Sequence, residues 1–407
     1  MQFLPQRGRD LSAFMRTCWD FYNASISHTL SGTVVIKSWP KHMASFTKFI
    51  KNDITQRSML LRNLEIEPPW GWSHWDSEGS DREQEPRILQ EFTTVLQQAS
   101  RLCCIQLMGS EGWLELCPGL GSIIPSLPSL NALYVSGSNE RTAALLNSCK
   151  DSIRVLGISF AVGDTFRKYD RADPRLMLGI VPSVEEFAVK RLTLRQGEEE
   201  EDNIVAINIR TLRIEEWDGC GFVDMRPLIR TFPNIRNLLL YPGTLLDYPA
   251  ELSRRRAVNI TAQAGKKWQN LDYCEGELAA LYALAPRCRI AHLNIDLNSY
   301  VYDYLPDVMQ DARPSRIHHR FSLGFESSID DLSNIAPPLT DCTTVTHLEL
   351  TFEVWPLGLW TRSMTAIEVS TGSKLLDRCT STDPELNVIA CDSRRSSMHY
   401  DALPDCL

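Results

Sequence analysis

Apolar residues along this chain fall into a short recurring figure: apolar, two others, apolar, one other, apolar. It occurs at Leu61/Leu64/Ile66, Leu102/Ile105/Leu107, Leu130/Leu133/Val135, Ile153/Leu156/Ile158 and Val184/Phe187/Val189. It continues at Ile209/Leu212/Ile214, Ile235/Leu238/Leu240, Ile290/Leu293/Ile295 and Val345/Leu348/Leu350. The alternation at the end of each copy is that of a strand, whose successive side chains point to opposite faces. Between the middle residues of successive copies the steps are 41, 28, 23, 31, 25, 26, 55 and 55. Half of 55 is 27.5, so each long step predicts one degenerate copy in its interior. Phe321-Ser322-Leu323 occupies the middle of the last step, and Val258-Asn259-Ile260 is the best candidate in the one before. The first step holds a surplus of about fourteen residues, which coincides with the Trp-rich acidic stretch PPWGWSHWDSEGSDREQEP and reads as a surface insertion at about 68–87.

The residues ahead of the strands have helical spacing. Leu89, Phe92, Leu96 and Ala99 share one helical face before the Leu102 strand. Met225, Leu228, Ile229 and Phe232 do so before Ile235, and Leu278, Leu281, Tyr282 and Ala285 before Ile290. Pro128, Pro182 and Pro233 stand where helix gives way to strand, where a residue without an N–H ends a helix. One helix or loop plus one short strand every 25 or so residues is a unit too small to bury its own apolar face, so neighbouring units must stack.

Over about residues 58–352 the chain resembles the leucine-rich-repeat proteins. The resemblance implies an α/β solenoid, a curved parallel sheet with outer helices and loops; an ordinary α/β domain is the alternative. The asparagine that usually follows the second strand leucine is clear only in Leu293-Asn294-Ile295-Asp296-Leu297-Asn298, which predicts an irregular array. The expected organisation is a helical segment at 1–36, a linker or N-terminal cap at 37–57, the solenoid at 58–360 and a poorly ordered tail at 361–407. Trp355 and Trp360 are expected to cover the last repeat.

In the N-terminal segment Leu11, Phe14, Met15, Cys18 and Phe21/Tyr22 mark an amphipathic helix with Asp10 as its cap. A second short helix would hold Ala24, Ile26 and Leu30, and Thr33–Ile36 reads as a strand. The order Asp10-Leu11, Arg16-Thr17-Cys18, Phe21-Tyr22, Leu30 and Val34-Val35-Ile36 resembles the later part of an F-box in the fungal F-box/leucine-rich-repeat proteins. Phe46-Thr47-Lys48-Phe49 and Arg57 through Leu64 resemble the same family. A full F-box opens with a Leu-Pro-containing first helix, of which Leu4-Pro5 is the trace here. The resemblance implies that Leu4, Pro5, Leu11, Phe14, Met15 and Cys18 face a Skp-type adaptor of a cullin ubiquitin ligase, with an unidentified protein substrate held by the repeats. The alternative for these residues is a helix that caps the open end of the first repeat. The chain would then be a free-standing scaffold, or a truncated relative that no longer binds the adaptor.

Composition narrows the function classes. Of 407 residues 43% are apolar, enough for a sizeable core. The 42 Lys+Arg against 51 Asp+Glu leave a net charge of −9, the wrong sign for coating phosphate backbones, so nucleic acid is not an expected partner. Neither a membrane-length apolar run nor a secretory h-region is present. The 12 cysteines are scattered without a CxxC pair and read as core fillers in a reducing compartment, cytoplasmic and/or nuclear.

Catalytic patterns are absent: there is no HExxH, GxSxG or GxxxxGK[ST]. His318-His319 has no carboxylate or thiol at ligand spacing and reads as a solvated pair. Arg254-Arg255-Arg256 reads as a solvent-facing turn and Gly197–Asp202 as a solvated acidic loop. No catalytic residue, cofactor or metal is expected. Residues lying between the core leucines point to the concave face of a repeat sheet, which selects Glu65, Gln106, Tyr134, Lys190, Arg213, Glu215, Tyr241, Asp296 and Glu349. Tyr134, Arg213 and Tyr241 are the expected energetic anchors for a protein partner.

Overall fold

A computed structural model describes residues 19–37, 40–68, 85–138, 140–149, 151–159, 182–190, 205–215, 225–241, 249–297, 302–323, 344–354 and 362–370. The chain divides into two compact units, residues 1–172 with 176–184, and residues 173–175 with 185–407.

In the first unit, strands β1 (Thr33–Ile36), β2 (Asn63–Ile66), β3 (Cys104–Leu107), β4 (Ala132–Ser136) and β5 (Val155–Ser159) pair in chain order, every pairing parallel. The register stacks Val34, Leu64, Ile105, Leu133 and Leu156 in one line and Ile36, Ile66, Leu107, Val135 and Ile158 in the next. Except for half-buried Val34, all of these are buried. Each fully buried aliphatic side chain contributes roughly 1.5–3 kcal/mol relative to exposure, so the two lines dominate the unit's stability.

Helices cover this core with the faces their spacing dictates. Helix α1 (Trp19–Ser31) buries Ile26 and Leu30, and α2 (Lys41–Lys51) buries Met43, Thr47 and Ile50 at positions i, i+4 and i+7. Asp53 caps α3 (Ile54–Leu60) by accepting from the Gln56 amide at 3.4 Å. Helix α4 (Glu85–Gln98) buries Leu89, Phe92, Val95 and Leu96, followed by Ala99. Two short helices, α5 (Ser110–Leu116) and α6 (Leu120–Ser126), and then α7 (Glu140–Ser148) complete the unit's described helices. Gly109 and Gly137 follow β3 and β4 at equivalent positions, and both take a left-handed turn with φ of 69° and 68°. That region is costly for residues bearing a Cβ.

The second unit repeats the scheme in β6 (Glu186–Lys190), β7 (Thr211–Glu215), β8 (Asn237–Tyr241), β9 (Asn270–Glu277), β10 (Arg289–Leu297), β11 (Arg316–Leu323) and β12 (His347–Val354), again parallel and in order. Phe187, Leu212, Leu238, Cys274, Leu293 and Ile317 form its first buried line. Helices α8 (Met225–Thr231), α9 (Pro249–Ala262), α10 (Leu278–Leu284) and α11 (Leu305–Ala312) lie between strands. Each unit therefore has the α/β topology of a leucine-rich-repeat-like solenoid.

A carbonyl ladder does the work that an asparagine ladder would do. Arg62, Cys103 and Asn131 each stand two residues before a core leucine or isoleucine, and each carbonyl accepts two amides of the next repeat at 2.8–3.2 Å. Glu185, Arg210 and Arg236 repeat this in the second unit at 2.7–3.2 Å. The arginines at this position add a guanidinium bond to the following repeat: Arg62 to the Arg101 carbonyl, Arg154 to Ser183 and Arg210 to Asn234. Backbone groups at strand entry are thereby satisfied without a dedicated side chain.

Several expectations are corrected. Val258-Asn259-Ile260 lies inside α9, and the strand between Leu238 and Leu293 is β9, with Leu271 and Cys274 buried. Arg254-Arg255-Arg256 also lies in α9, not in a turn. Ile317, four residues before Phe321, is the position that aligns with Leu293. The sheet begins at β1, ahead of residue 58. In the second unit the sheet runs past residue 360, because β13 (Arg362–Ser370) pairs antiparallel with β12. Helix α1 runs unbroken across the point where two helices were expected. The expected insertion overlaps the start of α4 at 85–87; its residues 69–84, together with Trp355, Trp360 and the tail beyond 370, lie outside the described residues.

Candidate binding face

Side chains on the face opposite the aliphatic lines follow the same register. In the first unit Val35, Glu65, Gln106, Tyr134 and Gly157 stand side by side on β1–β5. Gly157 has no Cβ, and one added there would collide with the Tyr134 ring, which occupies that space. Burial pushes the Glu65 carboxyl up, Glu67 adds to the rise and Lys37 opposes it. Gln106 and Ser136 both bond the Met108 sulfur, at 3.4 and 3.8 Å. This face is only lightly charged.

The second unit's face is more polar. Its middle row reads Ala188, Arg213, Leu239, Glu275, Asn294 and His318. Two residues further along, Lys190, Glu215 and Tyr241 align, and Asp296 stands opposite Glu277. Arg213 pairs with Glu215 at 2.7 Å and lies 4.9 Å from the Tyr241 ring centroid. The Tyr241 hydroxyl donates to Glu275 Oε1 at 2.9 Å, and the Tyr273 hydroxyl donates to Glu275 Oε2. Asn294 Nδ2 donates to the Tyr273 hydroxyl at 3.1 Å, and the His292 ring meets Tyr273 edge-on at 5.1 Å. Burial raises the Tyr241 hydroxyl above its ordinary value, and the charge of Glu275 beside it adds to this. Burial also raises Glu186, against the pull of Arg213.

Of the residues selected from sequence, Arg213, Glu215 and Tyr241 come together in this network. Glu65, Gln106 and Tyr134 stand in one row of the first unit. Lys190 ends β6, and Asp296 stands one residue before the end of β10. Glu349 stands opposite His318 in the register of β12, with its side chain outside the described residues. Leu4, Pro5, Leu11, Phe14, Met15 and Cys18 also lie outside them. Sequence reasoning missed Tyr273, Glu275, His292 and Asn294. The first two were lost with β9, whose second core position is Gly276. The signal that would have found them is the Leu271, Cys274 and Gly276 spacing with glycine allowed in the core line.

Burial drives the Cys149 and Cys288 thiols up to about 12 and raises Cys117 and Cys274 as well, so these sulfurs stay protonated. Among the described residues there is no group of three His, Cys, Asp or Glu able to hold a metal ion. Among them, too, no helix is long and apolar enough to cross a membrane.

No protein-family model matches the chain, and no curated protein matches it. The solved structures similar to this chain include the leucine-rich repeat-containing protein LegL7 from Legionella pneumophila, with 11% identity and a TM-score of 0.44 over 79% of this chain and 91% of that one.

Proposed function

We propose that this chain is a non-catalytic protein receptor, the substrate-recognition subunit of a Skp- and cullin-type ubiquitin ligase. The residues ahead of β1 would hold the adaptor and the helix-opposite face of the repeats a protein target. The observation that carries the receptor part is the ordered network Arg213–Glu215–Tyr241–Glu275–Tyr273–Asn294 on one sheet face. It combines the aromatic, arginine and carboxylate groups that anchor protein interfaces, and they are held in place before any partner arrives. The adaptor part rests on the F-box-like order of residues 10–36, the later part of which forms α1 and β1.

Co-purification with a recombinant Skp-type adaptor tests the ligase reading. The expected result is a stable complex at micromolar concentration that Phe14→Asp disperses while circular dichroism stays unchanged. If no complex forms with the intact chain, the ligase role falls and a free-standing repeat scaffold remains.

A further inference from the structure

We infer that the partner presents an arginine or lysine side chain to Glu275, between the rings of Tyr241 and Tyr273; this rests on the receptor reading above and specifies the chemistry of its target. An ionised carboxylate offers about four lone-pair sites. Glu275 spends two of them on the Tyr241 and Tyr273 hydroxyls, and neither partner is cationic. The rest of the half-buried carboxylate has no positive neighbour in its own row, where Leu239 stands on one side and Asn294 on the other. Across β8–β10 the three facing rows comprise Asn237, Leu239, Tyr241, Tyr273, Glu275, Glu277, His292, Asn294 and Asp296, none of them lysine or arginine; Arg320 of β11 stands opposite Asp296, one strand beyond.

One strand earlier the chain joins a ring, a carboxylate and a cation of its own. Arg213 packs on the Tyr241 ring and reaches Glu215, so a guanidinium is held between an aromatic face and a carboxylate. In the register Leu239 follows Arg213 and Glu275 follows Leu239, so the carboxylate in this line, bonded by the Tyr241 and Tyr273 hydroxyls, has a leucine where its neighbour one strand earlier carries the guanidinium. Among the described residues no lysine or arginine pairs with Glu275, whose bonds are those from the two tyrosine hydroxyls. A basic side chain from a partner completes the repeat.

A random-peptide display library panned against the full chain tests this. The expected outcome is enrichment of sequences carrying an Arg or Lys, with Glu275→Gln weakening a selected peptide tenfold or more. Glutamine keeps the size of the side chain and an acceptor for the tyrosines, so the fold is retained; a thermal melt checks it. Leu239→Arg supplies the missing cation from within and is expected to abolish binding of the same peptide while leaving the melt unchanged or higher. Peptides enriched without any basic residue, or insensitive to both substitutions, overturn the inference and leave the receptor reading intact. Absence of any enriched peptide also overturns it, and the adaptor co-purification then judges the receptor reading separately.

Discussion

Gly157 faces Tyr134 across the β4/β5 register, and the aromatic ring fills the space a side chain would need. Gly157→Ala therefore forces the ring aside and is expected to cost ~1–3 kcal/mol, the range for overpacking. A lower urea midpoint at unchanged slope would register this cost, and combining the change with Tyr134→Ala should return most of it. The buried thiols give a second residue-scale prediction. Burial pushes the Cys149 and Cys288 thiols up to about 12 in the fold, against about 8.5 in an unfolded chain. Raised folded values mean that the protonated thiols favour the fold below about pH 8.5, and this contribution is lost as pH climbs from there toward 12. Mass mapping after iodoacetamide at pH 8 should find the peptides carrying Cys149 and Cys288 unmodified in the native chain and modified in urea. Labelling of either in the native chain would contradict the burial.

Helix α9 shows what the strand pattern alone does not reveal. Asn259 is 2% exposed; its Oδ1 accepts from the Met225 amide at 2.9 Å and its Nδ2 donates to the Ala283 carbonyl at 2.9 Å. Gln263, one turn later, bonds the Ala285 carbonyl at 2.8 Å and accepts from the Arg287 amide at 2.9 Å. Arg256 of the same helix reaches Asp311 of α11 at 2.7 Å and lies over Tyr282 of α10. The Val258-Asn259-Ile260 segment looked like a worn strand because it alternates, yet its buried member is the polar one and Val258 is 46% exposed. Strands with aliphatic residues in both core lines were legible. β9 was not, because its core positions are Cys274 and Gly276, with Leu240 filling the glycine's place at 3.1 Å from a would-be Cβ. Nor was β13, whose antiparallel pairing breaks the repeat.

Arg256→Met tests the polar contacts of α9: it leaves the Asp311 carboxylate buried without its main cation, and a broken buried pair costs ~3–5 kcal/mol. Burial already raises Asp311 despite Arg256, and removing the guanidinium raises it further. A raised folded value favours the fold at low pH and is lost as pH rises, so the variant should regain stability on acidification from pH 7 toward 5. Urea titrations at the two pH values would show this, and a deficit independent of pH would mean Asp311 is not the cause.

At the scale of the molecule the net charge of −9 acts on any partner before contact is made. Long-range attraction governs how fast a basic segment arrives, while close contacts with Glu275 govern how long it stays. The two are separable with salt, because the Debye length shrinks from roughly 30 Å at 0.01 M to roughly 10 Å at 0.1 M ionic strength. For a selected basic peptide the association rate constant should fall about tenfold over that range, as expected of steered encounters, with a much smaller change in dissociation. Glu275→Gln should do the reverse, raising the dissociation rate severalfold and leaving most of the salt dependence of association, since one charge among many is removed. Surface plasmon resonance at stepped ionic strength measures both constants. Association that stays flat with salt would mean that the acidic surface plays no part in recruiting the partner. Dissociation indifferent to Glu275→Gln would place the contact elsewhere on the sheet.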